Sequence, residues 1–480
     1  MEPLKPAARP TSALTAVRSR RDILKLAGLA ALSVAAVPIL EACGSPAASS
    51  GAPSASAGTA GPSGSTGAGA SQALSGAVTA LQSSDLTTNP PVKKVYDDFL
   101  AMHPDVTWDN RALPTSHRDW DRIARATIAG GEPVDFVVIN GQYVRAWARD
   151  GLLANLNERP GLESLLKRVP KPFHLTGPSE TATRAFGLAI GGGVFVTALM
   201  YNKALFDQAG VKPPATIDDF KAMVDPLGKI GVAPTVFPGG ESSALPLLVM
   251  WLLPMIAERN GTDPLTFVED TQKGTIRYDS PEWVEMFQII DDLRSSGVLL
   301  AGSGAMDSPT AQQLFIEGKA ATYYNGSWAI GGLTEAAPSG PFDLQIAGLP
   351  LVEGASTAHP LSAFVALGIA EGSQHGEIVE AFLRYAGSEE VDESVVKETQ
   401  QFSPLESSND VVKDPLAQQL LPFFPDAIPP LDWLWEPEIT VAIGEQGIAV
   451  VNGRATATEA GQAVQAVADE LRASGGSFFE

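Results

Sequence analysis

One stretch of the chain presents an aromatic side chain in a setting that suits ligand binding. Residues 314–333 read LFIEGKAATYYNGSWAIGGL. Gly318 is placed to end a helix, residues 320–324 have the composition of a buried strand, and Asn325-Gly326 has the composition of a turn. This order predicts that Trp328 lies at the mouth of the turn with an aromatic face open to a ligand. The alternative is that Trp328 only packs between the helix and the strand.

A second group of candidate residues follows an apolar run at residues 134–139, VDFVVI. A near-continuous hydrophobic run is typical of a parallel strand that is buried on both faces. In open α/β sheets, ligands bind beyond the carboxyl ends of the strands. Asn140 and Gln142 follow this strand and are therefore predicted to contact a ligand, although Asn140-Gly141 would equally suit a plain turn.

The elements that hold these residues alternate between strand and helix. From about residue 72, the hydrophobic spacing predicts a strand at 77–81, a helix at 91–102, a strand at 106–108, a helix at 120–129 and a strand at 134–139. Such alternation predicts an α/β fold. Farther along, Thr216 and Asp219 form a helix-capping pair. Another helix carries four predicted core residues on one face, namely Trp283, Phe287, Ile290 and Leu293.

Length and composition limit the classes of protein to which the chain belongs. A chain of 480 residues suggests two domains. The formal net charge of -22 argues against binding to DNA or RNA, which requires a cationic surface. A single cysteine excludes a disulfide framework and a cysteine metal cluster. The five histidines are far apart in sequence, so neither a metal site nor a cofactor is predicted.

The sequence patterns of common catalytic sites are absent from the chain. It contains neither a G-x-S-x-G nucleophile elbow nor a G-x-x-x-x-G-K-[ST] phosphate loop. Spacing alone does not identify a pair of glycosidase carboxylates. A solvated acidic surface explains the abundant Asp and Glu residues more simply, so the chain is not predicted to be an enzyme.

Residues 1–43 predict a twin-arginine export signal that ends at a lipid-attachment site. Residues 19–25, SRRDILK, are close to the export motif S-R-R-x-F-L-K. The apolar run at 26–40 is shorter than the roughly 20 residues that span a membrane, and it suits the core of a signal peptide. Residues 40–43, LEAC, look like a lipoprotein cleavage box in which Cys43 receives the lipid. Glu41 is unusual there, and a free Cys in a retained anchor is the alternative.

Residues 44–71 contain only Gly, Ala, Ser, Pro and Thr. A segment without charges or large apolar side chains does not bury enough surface to offset the entropy of ordering. We therefore expect a disordered linker between the lipid anchor and the folded body. Such a tether would hold the body at the outer face of the cell membrane, near a membrane partner.

The stretch around Trp328 resembles a signature of the extracellular solute-binding proteins that serve bacterial carbohydrate ABC transporters, F-x-x-G-K-A-A-M-x-x-N-G-x-W. Thr322 replaces the usual Met. A second match, residues 198–216, is similar to the family pattern l-x-Y-N-K-x-l-F-x-x-A-G-v-x-x-P-P-x-T-W, with Ile217 in place of the Trp. The resemblance covers about residues 75–475. It implies that Trp328 stacks on a sugar ring.

The resemblance also implies a periplasmic-binding-protein-like fold with two α/β lobes and a ligand cleft between them. The expected N-terminal lobe comprises residues 72–189 and 351–402, and the expected C-terminal lobe comprises residues 190–350 and 403–480. The chain is expected to cross between the lobes at residues 186–190, 346–350 and 403–404. A ligand that contacts both lobes would stabilise the closed state in proportion to the difference between its affinities for the closed and open states.

Three further ligand-binding residues are implied by the family resemblance. The loop after residues 232–237 often contributes ligand contacts in this family, which makes Glu241 a candidate acceptor for a sugar hydroxyl. A solvated carboxylate would suit that loop equally well. Trp433 and Trp435 lie where the family often has a second stacking aromatic, and packing beneath the C-terminal helix is the alternative for both.

These observations together predict a monomeric, extracytoplasmic substrate-binding component of an ABC importer. It would capture a sugar or oligosaccharide and deliver it to a membrane permease. Two other functions stay open from the sequence, a glycan-binding sensor or adhesion lipoprotein and a secreted glycosidase. Turnover of a sugar would favour the glycosidase, whereas permease genes next to this gene would count against the sensor.

Overall fold

The computed structural model describes residues 73–83, 89–113, 117–169, 174–176, 185–191, 193–240, 245–336 and 342–475. These residues belong to one compact unit of helices and strands. The predicted export signal with Cys43, the predicted linker at 44–71 and Glu241 lie outside the described residues.

The first part of the chain alternates between strands and helices, as the hydrophobic spacing predicts. Its elements are β1 (Gly76–Ser83), α1 (Pro90–Met102), β2 (Val106–Leu113), α2 (His117–Ala129), β3 (Phe136–Asn140), α3 (Gly141–Arg149), α4 (Glu163–Arg168), β4 (His174–Thr176) and β5 (Ala185–Leu188). Strand β1 pairs in parallel with β2 and with β3. Helix α1 and these strands bury a common core that includes Tyr96, Phe99 and Phe136.

The middle of the chain forms a second group of elements. These are β6 (Val194–Asn202), α5 (Lys203–Ala209), α6 (Ile217–Ala222), α7 (Val224–Gly228), β7 (Ala233–Val236), α8 (Leu245–Arg259), α9 (Pro264–Gln272), α10 (Pro281–Ser295), α11 (Ser308–Ile316), β8 (Ala320–Gly326), α12 (Ile330–Glu335) and β9 (Leu344–Ala347). Strands β8 and β9 run antiparallel to β6, and β7 runs parallel to β8. The second group therefore forms a section of sheet around β6.

The last part of the chain contributes to both groups. Its elements are β10 (Ser362–Ile369), α13 (Gly376–Ala386), α14 (Glu389–Thr399), α15 (Pro415–Leu420), α16 (Pro437–Val451) and α17 (Ala457–Ala473). Strand β10 and helices α13 and α14 pack with the first group, which we call the first lobe. Helices α16 and α17 pack on α10 of the second group, which we call the second lobe. The two-lobed α/β architecture confirms the predicted fold class.

Helices α8 and α10 show why the second lobe has a large core. Helix α8 is hydrophobic on nearly all sides, and such a helix is stable only when it is buried. Accordingly, the apolar residues from Leu248 to Ala257 of this helix are buried. Trp251 donates a hydrogen bond to the carbonyl oxygen of Pro350 at 3.1 Å. The four residues predicted as the core face of α10, Trp283, Phe287, Ile290 and Leu293, are all buried.

Three segments cross between the lobes side by side. The start of β10 pairs antiparallel with the start of β6, with Ser362 opposite Val196 and Phe364 opposite Val194. On its other side, Val194 exchanges two backbone hydrogen bonds with Phe402, at 2.9 and 3.3 Å. The strand order β2-β1-β3-β10-β6-β8-β7 therefore runs without a break from one lobe into the other.

The pairings show on which side each predicted lobe boundary falls. Leu351 pairs with Thr216 and accepts a hydrogen bond from the backbone N–H of Ile217, so it lies with the second lobe, whereas the predicted boundary assigned it to the first. Leu405 packs in the first-lobe core, although residues 403–480 were predicted for the second lobe. The start of β10 and the segment at Phe402 both lie beside the start of β6, where the chain passes between the lobes.

A buried carboxylate fastens the end of β10 to the start of β3. Asp135, which is 2% exposed, accepts hydrogen bonds from the backbone N–H of Thr79 at 3.0 Å, the hydroxyl of Ser373 at 2.7 Å and the backbone N–H of His375 at 3.1 Å. The imidazole Nδ1 of His375 lies 3.3 Å from the same carboxylate. Burial raises the pKa of Asp135, but these hydrogen bonds outweigh it and lower the pKa below the ordinary value of 3.8.

We expect the Asp135→Ala variant to lose about 3 kcal/mol of unfolding free energy, because its buried hydrogen-bond donors lose their acceptor. A depressed folded-state pKa contributes stability above the unfolded pKa, and this contribution is lost as the pH falls through the folded pKa. Thermal unfolding between pH 3 and pH 7 should therefore show a smaller acid-side decrease in Tm for the variant than for the wild type.

Asp97 provides the matched control, because its side chain is 56% exposed and pairs with Lys93 on the same helix. Asp97→Ala should change the unfolding free energy by no more than about 0.5 kcal/mol. Equal effects of the two substitutions would contradict the role assigned to the Asp135 network.

Candidate functional site

Trp328 lies in the 3₁₀ turn Ser327–Ala329, directly after β8. Among the described large hydrophobic side chains, Trp328 and Met102 are exposed, Trp328 by 42%. Its indole ring meets the ring of Phe195 edge to face, with centroids 5.8 Å apart and planes at 84°. An indole this open is available for stacking, so the geometry is compatible with the ligand contact that the sequence predicts.

Gly326 does not form the turn that the sequence predicts. It is the last residue of β8, with a φ of -105° that any residue could adopt. The indole of Trp328 occupies the space next to its Cα, so that a Cβ at Gly326 would overlap the ring. The turn interpretation of Asn325-Gly326 is therefore wrong, and glycine is required here by the close approach of the indole.

The turn that carries Trp328 is tied to two of the crossing segments. The hydroxyl of Ser327 donates to the side-chain oxygen of Gln401 at 3.1 Å. The same hydroxyl accepts a hydrogen bond from the backbone N–H of Val196 at 3.4 Å. Because Val196 and Gln401 belong to the crossing segments, the exposed indole has a fixed position next to the junction of the lobes.

The predicted residues after β3 lie at a contact between the lobes. The side chains of Asn140 and Gln142 are outside the described residues, but Gly141 between them packs against the indole of Trp433. A Cβ at Gly141 would overlap that ring. The structure thus brings together two sequence-predicted regions, the end of β3 and the aromatic cluster near the C-terminus. Trp433 itself is 6% exposed.

Helix α3 makes a second contact with the same part of the second lobe. The guanidinium Nη1 of Arg145 donates to the carbonyl oxygen of Leu434 at 3.5 Å. Burial lowers the pKa of Arg145 to about 10, although the carboxylates of Glu269 and Glu436 oppose this shift. A desolvated cation on one lobe therefore faces carboxylates of the other.

Trp435 has a different environment from Trp328. It is 1% exposed and packs in the second-lobe core, where its ring centroid lies 5.9 Å from that of Trp283. In this structure its indole has no face open to a sugar, so its geometry corresponds to the packing alternative. Asp432 nearby is partly buried, and desolvation of its carboxyl raises its pKa to about 7.

The loop that leads to Glu241 is firmly held up to Gly240. The backbone N–H of Gly239 donates to the carbonyl oxygen of Ser303, and that of Gly240 donates to the carbonyl oxygen of Met306, both at 2.9 Å. A Cβ at Gly240 would lie 2.7 Å from the carbonyl carbon of Ala305. The backbone is therefore fixed up to the residue before Glu241.

The part of the chain that the structure describes contains neither a cluster of metal-ligating side chains nor a membrane-spanning helix. No group of three or more His, Cys, Asp or Glu side chains is arranged there to hold a metal ion. No helix among the described residues is long and apolar enough to cross a membrane.

Two residues near the site were not singled out from the sequence. Phe195 has a usable signal, because it lies between two buried valines of a strand, and side chains alternate between the faces of a strand. Arg145 has no comparable signal, because a cation on an amphipathic helix usually faces solvent. Its partner, the carbonyl oxygen of Leu434, is distant in sequence.

We expect Gly141→Ala to separate the two lobes at this contact, because the added methyl group occupies the position of the Trp433 ring. Overpacking of this kind costs about 1–3 kcal/mol. Small-angle scattering of the ligand-free protein should show a larger radius of gyration, and thermal unfolding a lower Tm.

Gly228→Ala is the matched control, because Gly228 ends helix α7 and a Cβ there would have no neighbour within 4 Å. This variant should keep the wild-type radius of gyration. A Gly141→Ala protein with unchanged scattering and Tm would show that Trp433 moves away without consequence.

Comparison with known proteins identifies the family. A model of the bacterial extracellular solute-binding proteins matches residues 83–393, which is more than half of the chain. A probable sugar-binding periplasmic protein of Brucella suis is 25% identical over 241 residues, 49% of this chain and 53% of that protein. An ABC transporter extracellular-binding protein of Pyrococcus horikoshii, described as uncharacterized, is 26% identical over 228 residues, 46% of this chain and 48% of that protein.

The chain spans about half the length of the curated relatives it matches. Among solved structures, it is similar to the GacH receptor of Streptomyces glaucescens, which was solved without ligand and in complex with acarbose. That likeness has a TM-score of 0.68 at 21% identity and covers 83% of this chain and 98% of the receptor. By the family match and the shared two-lobed fold, the chain belongs to the bacterial extracellular solute-binding proteins.

Proposed function

We propose that the protein captures a sugar or oligosaccharide in the cleft between its lobes and delivers it to the permease of an ABC importer. The observation that carries this proposal is the 42% exposed indole of Trp328 beside the crossing segments. A large aromatic ring is usually buried, and an exposed one next to a cleft is a common binding surface. The names of the relatives from Brucella suis and Pyrococcus horikoshii support the sugar and the transporter, respectively.

The chemistry of the site suits a sugar. The flat face of Trp328 would cover the C–H-rich face of a sugar ring, and a few polar groups would pair with its hydroxyls. Asn140 and Gln142 on the first lobe and Glu241 on the second are the proposed polar groups, and Trp433 would border the same space. In this assignment the protein binds its ligand and does not convert it.

The arrangement of the crossing segments supports hinge closure as the mechanism. A ligand that touches both lobes stabilises the closed arrangement by the difference between its affinities for the closed and open states. The Trp328 turn is bonded to Val196 and Gln401, so a ligand stacked on Trp328 would lie against the hinge itself. The closed form would then be recognised by the permease.

The cellular location follows from the N-terminal sequence and the family. We propose export by the twin-arginine route and attachment of a lipid at Cys43, with residues 44–71 as the tether. Metabolic labelling with a radioactive fatty acid would test this. Labelling of the full-length chain that disappears in Cys43→Ala is the expected result, and equal labelling of both proteins would contradict it.

A thermal-shift screen of residues 72–480 tests the ligand class. The panel contains mono- and oligosaccharides, polyols, amino acids and polyamines. A ligand at 100 times its Kd adds about 2.7 kcal/mol of stability, which gives a clear increase in Tm. Hits confined to sugars are expected. A hit only among the other classes would refute the sugar assignment, and turnover of a hit sugar would indicate a glycosidase.

Trp328→Ala is expected to weaken binding of the identified sugar at least about tenfold, because the stacking surface is removed. The unfolding free energy of the protein without sugar should change by less than about 1 kcal/mol, because Trp328 is 42% exposed and lies outside the buried cores. Isothermal titration and thermal unfolding measure the two quantities.

Met102→Ala is the control for this substitution, because Met102 is 53% exposed and ends helix α1 in the first lobe. It should leave the Kd unchanged. Sugar binding by Trp328→Ala at wild-type affinity would remove Trp328 from the site while leaving the proposed transport function intact.

A further inference from the structure

We infer that Phe195 is a second ligand-contacting residue and that, with Trp328, it forms an aromatic corner that selects the edge of the bound sugar. The inference rests on the proposed function and deepens it. It concerns a residue of β6, at the junction of the lobes.

The position of Phe195 in β6 places its side chain on the face opposite Val194 and Val196. Farther along that face Leu199 is buried in the second-lobe core, whereas Phe195, near the start of the strand, is partly exposed. Val194 and Val196, its neighbours on either side, are fully buried in the apolar cluster that spans the lobes. Successive side chains of a strand point to opposite faces. Phe195 therefore points away from that cluster, and it is partly exposed.

The two rings form a corner and not a stack. Their planes meet at 84° and their centroids are 5.8 Å apart. An edge-to-face pair stabilises both orientations, so each ring helps to fix the other. Gly326 lies beneath the indole and Ser327 bonds to two crossing segments, which holds the Trp328 side of the corner in place.

A corner of this shape fits two adjoining surfaces of one sugar unit. The face of the sugar ring would lie on Trp328, and one edge of the same ring would touch Phe195. A hydroxyl pressed against a phenyl ring loses its hydrogen bonds to water and gains none in return. The corner therefore favours a sugar unit whose edge at Phe195 carries C–H groups, and it disfavours one with a hydroxyl there.

The experiment uses full-length mature protein with maltotriose, raffinose and N,N′-diacetylchitobiose as probes, together with any sugar found in the thermal-shift screen. Isothermal titration gives the Kd, and saturation-transfer difference NMR shows which ligand protons contact the protein. For each probe that binds the wild type, Phe195→Ala should raise the Kd by about tenfold or more. Phe195→Tyr, which keeps the ring, should remain within about threefold of the wild type.

The NMR signal separates direct contact from indirect support of Trp328. In Phe195→Ala, the saturation transfer should fall selectively at the protons of one sugar edge, while the protons over the indole keep theirs. A uniform decrease at all protons would mean that Phe195 only positions Trp328, and it would overturn the inference. If Phe195→Ala does not fold, Phe195→Leu decides the question, because it keeps apolar volume without a flat face.

Phe342, which precedes β9, offers a matched control. It is also partly exposed, and its ring meets that of Phe315 edge to face at 5.3 Å and 78°. Phe342→Ala should leave the Kd and the saturation pattern unchanged. If the wild type and Phe195→Ala bind a sugar with equal Kd values, the role of Phe195 is refuted and the proposed function stands. If the wild type binds no sugar, the proposed function is refuted.

Discussion

The structure depends on the hydrogen-bonded junction between the starts of β6 and β10. Val194 pairs with Phe364 on one side and bonds to Phe402 on the other, so three crossing segments form one continuous layer. Shared backbone hydrogen bonds limit the motion of the lobes to a few residues, as in a hinge. The turn before Trp328 bonds to this same layer. In the proposed function, ligand contact at Trp328 and lobe movement would therefore be linked by adjacent atoms, without a long path between them.

Two glycines at strand ends serve the site in the same way. Gly141 after β3 and Gly326 at the end of β8 each follow an asparagine, and each lies under an indole ring, Trp433 and Trp328, respectively. Neither glycine is in the left-handed region, so backbone freedom does not explain it. The missing side chain lets the ring approach the backbone and fixes the plane of the indole. Aromatic surfaces at both positions are thus oriented by a small residue next to them in space.

Local patterns in the sequence predict much of the fold. Thr216 and Asp219 form the predicted capping box, and Gly318 adopts a φ of 71° at the end of a helix. These features depend on residues close in sequence. The turn interpretation of Asn325-Gly326 failed because the requirement for glycine comes from a ring above it. The surroundings of Leu351 were equally out of reach of local patterns, since this residue pairs with Thr216, more than a hundred residues away.

The contacts between the lobes bear on affinity through the arrangement of the lobes. Trp433 packs on Gly141, and Arg145 donates to the carbonyl oxygen of Leu434. Such contacts stabilise this arrangement of the lobes. If the binding-competent arrangement is partly populated in advance, the apparent Kd exceeds the intrinsic Kd by the inverse of that fraction. In the proposed function, Arg145 would adjust affinity through the lobe equilibrium and Trp328 and Phe195 through the ligand, and the two effects would combine in any measured Kd.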